Sequence, residues 1–221
     1  MSTDGQAKRI LFLGDSITDC GRDRGDEWNL GEGFPKFFAH LWDSELQSRE
    51  DEAEPALYLN RGISGDRTKD VLDRFESDVE QLKPDVVFLL IGINNVLRAF
   101  ANDPTTLENF NIEFEDICRR IKEFAQQPKL IIAEPFLLSS HPGHIKHRSE
   151  LDPKIHAIRG LAARYADLYI PLDGLLNARA LNGPGAEALS EDGVHPTEEG
   201  HQTIADLLFQ YLREEASEDL L

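Results

Sequence analysis

Four short stretches of this chain carry residues that could do chemistry together if the fold brings them to one place. The first ends at Ser16, which follows Ile10-Leu11-Phe12-Leu13-Gly14-Asp15 and so stands just past an apolar run that reads as a buried strand. A hydroxyl at the C-terminal end of a central strand lies where α/β sheets put their chemistry. The last is Asp192-Gly193-Val194-His195. A carboxylate three residues ahead of a histidine, with a glycine between them to permit a turn, can hold one ring nitrogen. The other nitrogen is then free to take a proton from a serine. Between these two lie Gly62, in Asn60-Arg61-Gly62-Ile63-Ser64-Gly65, and Asn94, in Gly92-Ile93-Asn94-Asn95. Any one stretch has an ordinary explanation, since Gly-Asp-Ser after a strand also serves as a plain helix cap. The argument rests on the set.

The elements that must position these residues can be read from periodicity. Apolar runs predict strands over 8–13, 56–59, 86–91, 130–133 and 168–170. The run at 86–91 has no polar alternation, as expected of a parallel strand covered on both faces. Stripes at helical spacing predict helices over 34–46 (Phe34, Phe37, Phe38, Leu41, Trp42) and from a cap at Asp66 or Thr68 to about Leu82, before Pro84. Further helices are predicted over 104–125, 151–166 and 172–181, and after a Thr197 cap with Ile204, Leu207, Leu208, Tyr211 and Leu212 inside. The stretches 21–33 and 183–192 read as loops, and Ser48–Glu54 as an acidic surface connection. Strands alternating with helices predict a three-layer α/β/α sandwich around a five-stranded parallel sheet. In such a sheet the turns after the first three strands share one edge and can converge on one cleft.

The length of 221 residues suits a single domain spanning 1–221, with 1–7 and 214–221 as frayed tails. Its 41 acidic against 23 basic residues give a formal net charge of −18, which disfavours nucleic acid and anionic membrane surfaces as partners. Cys20 and Cys118 are too few for a disulfide framework, and the polar Met1–Arg9 segment has no apolar core of a signal peptide, so a cytoplasmic location is expected. His141, His144 and His147 recur every three residues, but Pro142 and Gly143 break any helix there and no cysteine or carboxylate completes a site. Neither a metal nor a cofactor is expected.

Taken in order, the four stretches resemble the blocks of the GDSL, or SGNH, hydrolases. The wording GDSITDCGR at 14–22, GISGDRT at 62–68, IGINNVLR at 91–98 and DGVHPTEEGH at 192–201 is most similar to the bacterial acetylxylan-esterase branch. The resemblance runs from about Arg9 to Leu212 and implies the flavodoxin-like SGNH fold. It implies Ser16 as nucleophile, His195 as general base and Asp192 as the acid that orients it. It implies an oxyanion hole made of the N–H groups of Ser16 and Gly62 and the side-chain amide of Asn94. The implied substrate is a small-molecule ester, an acetylated oligosaccharide such as a xylan fragment; a homo-oligomer is left open. Two departures stand out: Asn95 where the family usually has aspartate, and Leu97 where the closest branch tends to carry an aromatic.

Asp15, Trp28, Asn60 and Ser64 are the candidate substrate contacts. For Asp15, Asn60 and Ser64 a role in stabilising the turns competes with this, while Trp28 has the flat face that stacks on a sugar ring. His201 reads as structural, and Glu198 and Glu199 as first-turn acids favoured by the helix dipole. Two rivals to the carbohydrate esterase are a general short-chain esterase or lysophospholipase with the same catalytic residues, and an inactive carbohydrate-binding protein.

Overall fold

The computed structural model describes residues 7–48, 56–140 and 145–215. The expected acidic connection at 48–54 falls almost wholly outside them, as do the tails, His141 and His144. Five strands form one parallel sheet: β1 (Lys8–Gly14), β2 (Ala56–Gly62), β3 (Val86–Leu90), β4 (Lys129–Ala133) and β5 (Leu168–Ile170). Their order across the sheet is β2-β1-β3-β4-β5, the doubly wound arrangement in which ligands bind where the strand order reverses. That reversal falls at β1 and β3, the strands that lead to Ser16 and Asn94.

The sheet is covered on both faces, and the residues along β1 show how. Ile10 and Phe12 join one core cluster with Phe34, Phe38, Trp42, Phe88 and Leu208. Leu11 and Leu13 join the other with Val71, Phe75, Val87, Phe110 and Phe114. Every residue from Val86 to Leu90 is buried, so the period-two alternation is hidden because both sides face apolar layers. On the first face lie α2 (Phe34–Ser48), α7 (Leu172–Asn182) and α9 (Glu198–Glu215), with α2 packed on α9. On the second lie α3 (Thr68–Asp73) and α5 (Leu107–Glu123), and α6 (Ile145–Tyr165) packs against α5. Of the stripe expected along α5, Phe110, Phe114, Ile117 and Ile121 are fully buried, each contributing about 1.5–3 kcal/mol on transfer from water. Leu107, expected to face inward with them, is instead 45% exposed at the start of the helix.

Several helices differ from the sequence expectation. The stretch after β3 is itself a helix, α4 (Ile93–Ala99), so Asn94 rides on a first helical turn rather than in a loop. The helix predicted from 66 or 68 to 82 is broken: α3 ends at Asp73 and a wide turn spans Glu76–Glu80. Between them Arg74 turns inward, donating to the carbonyls of Arg61 (2.8 Å) and Gly14 (3.1 Å) at the ends of β2 and β1. α6 begins six residues before the predicted start at 151 and runs through Pro153, because Arg148 in its first turns is tied to Asp173 (2.7 Å) and to the Leu137 carbonyl (2.6 Å). The stretch expected as a loop at 183–192 holds one short helix, α8 (Ala186–Leu189). At the end of the chain α9 continues to Glu215, past the expected fraying point at 214. No helix of the described residues is long and apolar enough to cross a membrane.

Candidate active site

Ser16 opens a single helical turn, α1 (Ser16–Asp19), directly after β1. Asp15 sets this turn: its Oδ1 accepts the Ile17 N–H at 3.1 Å. At the other end of the chain, Asp192 and His195 lie in the turn between α8 and α9. The Asp192 Oδ1 accepts the N–H groups of Val194 (2.9 Å) and His195 (2.7 Å), which folds the turn back on itself. The buried Ser190 hydroxyl braces the same turn from below, against the His195 carbonyl at 2.8 Å.

The two ends meet. Ser16 Oγ lies 3.1 Å from His195 Nε2, and His195 Nδ1 lies 2.7 Å from Asp192 Oδ2. A carboxylate on Nδ1 keeps the ring proton there and leaves Nε2 with a lone pair toward the serine. Partial burial pushes the Asp192 carboxyl up, but the His195 ring and the N–H groups of His195 and Val194 outweigh it and hold it at about 2. It is therefore ionised throughout the range in which a neutral histidine can act as a base. The Asp192 and His195 side chains are 54% and 56% exposed, so this face is open to solvent.

The turn after β2 assigns different work to its two glycines. Gly62 was expected to donate its N–H to an oxyanion, and the structure corrects this: that N–H already goes to Asn60 Oδ1 at 2.8 Å. A Cβ at 62 would stand 2.2 Å from the Asp19 nitrogen, so the glycine is required where β2 presses on α1. Three residues on, Gly65 has φ +89°, a conformation that glycine adopts without strain. Among the described residues its N–H has no acceptor. The Ser16 N–H is likewise unbonded, as expected of a first helical residue. Asn94 joins this edge from α4, its Nδ2 donating one proton to the Asp66 carbonyl at 3.0 Å and leaving the second. Gly65 stands in the same GISGDRT stretch as Gly62, and spacing cannot say which of the two glycines has its N–H already taken.

Of the four candidate substrate contacts, two are corrected. Asn60 is fully buried, and its amide donates to the Thr18 (2.7 Å) and Leu30 (2.8 Å) carbonyls while its oxygen holds Gly62. It ties β2, α1 and the loop 21–33 together and has nothing left for a ligand. Asp15 is 1% exposed and caps α1. Ser64 is exposed on the turn, held through its N–H by Asp19 Oδ2 at 3.1 Å. Trp28 is 56% exposed on the loop 21–33, which Arg61 pins through Glu27 (3.3 Å) and Arg24 through Asp19 (2.6 Å). No sequence motif marks Asp19 or Arg74; their work follows from the Ser64 N–H and from the strand-end carbonyls that they hold. His201 is structural, as expected: its Nδ1 accepts the Phe34 N–H at 3.2 Å, and burial, with the neighbouring His195, lowers its pKa to about 4.

Burial pushes the Asp15 carboxyl up to about 7, against the pull of the Ile17 N–H and His195. The unfolded group ionises near 3.8. Between those values the unfolded chain gives up a proton that the folded chain keeps, so stability falls as pH rises and stays reduced above 7. The shift corresponds to about 4 kcal/mol at most. Asp15→Asn keeps the acceptor for Ile17 and removes the charge. Thermal unfolding should show its Tm above that of the wild type by at least about 3 °C at mildly alkaline pH, with the gain vanishing near pH 4.

The chain is similar to known proteins along most of its length. The sequence profile of the GDSL-like lipase/acylhydrolase family matches residues 12–203. An acetylxylan esterase of Geobacillus stearothermophilus is 29% identical over 210 residues, covering 91% of this chain and 92% of that protein. Thioesterase 1/protease 1/lysophospholipase L1 of Escherichia coli K12 is 24% identical over 208 residues, covering 94% and 84%. A solved structure of the Geobacillus acetylxylan esterase matches with a TM-score of 0.83 at 26% identity, covering 97% of this chain and 99% of that one. Two further structures of that esterase are of catalytic mutants in which a serine and a histidine, respectively, are changed to alanine. The chain belongs to the GDSL-like lipase/acylhydrolase family and is a carboxylic ester hydrolase.

Proposed function

We propose that this esterase removes short acyl groups, acetyl above all, from carbohydrate, and that it works through an acyl-enzyme on Ser16. The observation that carries the mechanism is the unbroken relay from Asp192 through His195 to Ser16, at 2.7 and 3.1 Å. Ser16 Oγ attacks the ester carbonyl while His195 Nε2 takes its proton, and Asp192 stabilises the imidazolium that forms. The negative charge that develops on the carbonyl oxygen is met by the N–H groups of Ser16 and Gly65 and by the second Nδ2 proton of Asn94. Gly65 takes the role first given to Gly62. Preorganised donors of this kind are each worth roughly 10²–10³ in rate. Collapse of the intermediate expels the alcohol, which receives the proton from His195 Nε2. Water then repeats the cycle on the acyl-enzyme.

Two features support a carbohydrate as the alcohol part. The relative matched over nine-tenths of both chains is an acetylxylan esterase, and the Asp192 and His195 side chains are more than half exposed. An open face suits a small acyl group carried by a large hydrated alcohol that stays partly in solvent. Trp28, exposed on the neighbouring loop, offers a stacking surface for a sugar ring, and Ser64 offers a hydroxyl beside Gly65. The rival reading, a short-chain or lysophospholipid esterase, draws on the likeness to the Escherichia coli lysophospholipase. Rates on acetylated xylo-oligosaccharide, p-nitrophenyl acetate and a lysophospholipid separate the two. The highest kcat/KM is expected on the oligosaccharide; a preference for the lipid would sink the carbohydrate reading and leave the serine mechanism standing.

A further inference from the structure

We propose that Thr68 and Glu113 are positioning residues for this reaction, acting through the buried Asn95 on Asn94 and on the turn that carries Gly65. The inference rests on the reading of Asn94 as an oxyanion donor. Asn95 follows Asn94 on the first turn of α4 and is 0% exposed. Its carboxamide is fully engaged. Oδ1 accepts the Thr68 N–H at 3.3 Å, and Nδ2 donates to the hydroxyls of Thr68 at 3.0 Å and Thr105 at 3.2 Å. The Thr68 hydroxyl in turn donates to Glu113 Oε2 on α5.

The direction of each bond in this relay is set from its far end. An ionised carboxylate only accepts, so the single hydroxyl proton of Thr68 must go to Glu113. Thr68 Oγ1 can then only accept from residue 95, and residue 95 must be a donor there. Asparagine meets that demand and aspartate does not. With aspartate, two carboxylates would face the one Thr68 hydroxyl, whose single proton can serve only one of them. Asn95 and Glu113 therefore form a matched pair, and Glu113 is what makes the asparagine workable where the resembled family usually carries the acid.

The relay bears on the reaction because, among the described residues, it is one of two ties between α4 and the turn after β2. Asn94 Nδ2 reaches the Asp66 carbonyl, and Asn95 holds Thr68, the first residue of α3 and the end of that same turn. Two ties fix both the position and the tilt of Asn94 relative to Gly65; one tie leaves a hinge. Displacing an oxyanion donor by a fraction of an ångström weakens the transition state more than it weakens ground-state binding.

The test is a rescue. Asn95→Asp, the double variant Asn95→Asp/Glu113→Gln and Asn94→Ala are compared with the wild type on p-nitrophenyl acetate at neutral pH, with thermal unfolding recorded for each. Asn95→Asp is expected to lower kcat about tenfold with KM within about twofold. The double variant moves the single negative charge from 113 to 95 and reverses the relay: the new amide donates to Thr68, and Thr68 donates to the new carboxylate. It should regain kcat to within about threefold of the wild type. Wild-type kcat in Asn95→Asp overturns the proposal, and so does a folded double variant no faster than the single one. Should Asn95→Asp fail to fold, return of a cooperative transition and of activity in the double variant supports the pairing, and an unfolded double variant refutes it. Wild-type kcat in Asn94→Ala would remove the oxyanion reading on its own, while the rescue still decides the relay.

Discussion

Ser16→Ala is expected to lower kcat/KM for p-nitrophenyl acetate by at least about 10³-fold while leaving the protein folded. The activity loss follows because, among the described residues, no other hydroxyl stands at His195 Nε2: the serine oxygen at 3.1 Å is the atom that bonds to the acyl carbon. What survives is the residual catalysis of an oxyanion hole acting on water, which is small beside a covalent route. Stability should barely move. Ser16 is partly exposed, its side chain makes one solvent-accessible hydrogen bond, and the α1 cap comes from Asp15 rather than from Ser16. Loss of such a bond costs about 1 kcal/mol or less. Steady-state kinetics with thermal unfolding of both proteins checks the pair of claims. Hydrolysis unchanged in the variant would end the serine mechanism, whatever the substrate.

Asp192→Asn should cost about 10³–10⁴ in kcat, and the geometry says why replacing one oxygen by an NH₂ group does so much. Asp192 uses its two oxygens for different tasks. Oδ1 holds the turn through the Val194 and His195 N–H groups, and Oδ2 holds the ring at Nδ1. Asparagine can keep the first task with its carbonyl oxygen, so the turn should survive. Its NH₂ group then faces Nδ1 and donates, which drives the ring proton to Nε2 and points it at Ser16. The base is lost although every atom is nearly in place. Asp192→Ala removes the turn as well, so it should be both inactive and less stable. Comparing the two by thermal unfolding and activity separates the catalytic from the structural task of one side chain. Because the Asp192 carboxyl sits at about 2, its own protonation should leave no trace on the acid limb of the activity profile above about pH 4.

Much of the fold could be read without coordinates because its signals are local and redundant. Strand β3 is five buried residues in a row, and α5 repeats an aromatic or branched residue at helical spacing. Errors fell where a tertiary tether outweighed a local cue. The apolar stripe places the helix start at 151, but Arg148, three residues earlier, is bound to Asp173 and Leu137 and carries the helix back to Ile145. Arg74 looks like a solvent residue on a continuous helix, but two strand-end carbonyls have claimed it. Asn60 and Asp15 have the chemistry of ligand contacts and the burial of structural groups. Burial is a collective property of the packed layers, and residue type does not report it.

Ser16 at the end of an apolar strand, with Asp192 and His195 three residues apart and a glycine between them, was determined by sequence alone as to residue type, order and spacing. These features are covalent, and the distance a turn can span follows from them. The tertiary structure decided what depends on which atom is already bonded. Gly62 and Gly65 are equivalent on paper; in the fold one N–H belongs to Asn60 and the other is free among the described residues. Asn95 reads as a departure from pattern until Thr68 and Glu113, distant in sequence, are seen to require a donor there. A backbone or side-chain donor is available for catalysis only if no nearer acceptor has taken its proton, and the folded neighbourhood makes that choice.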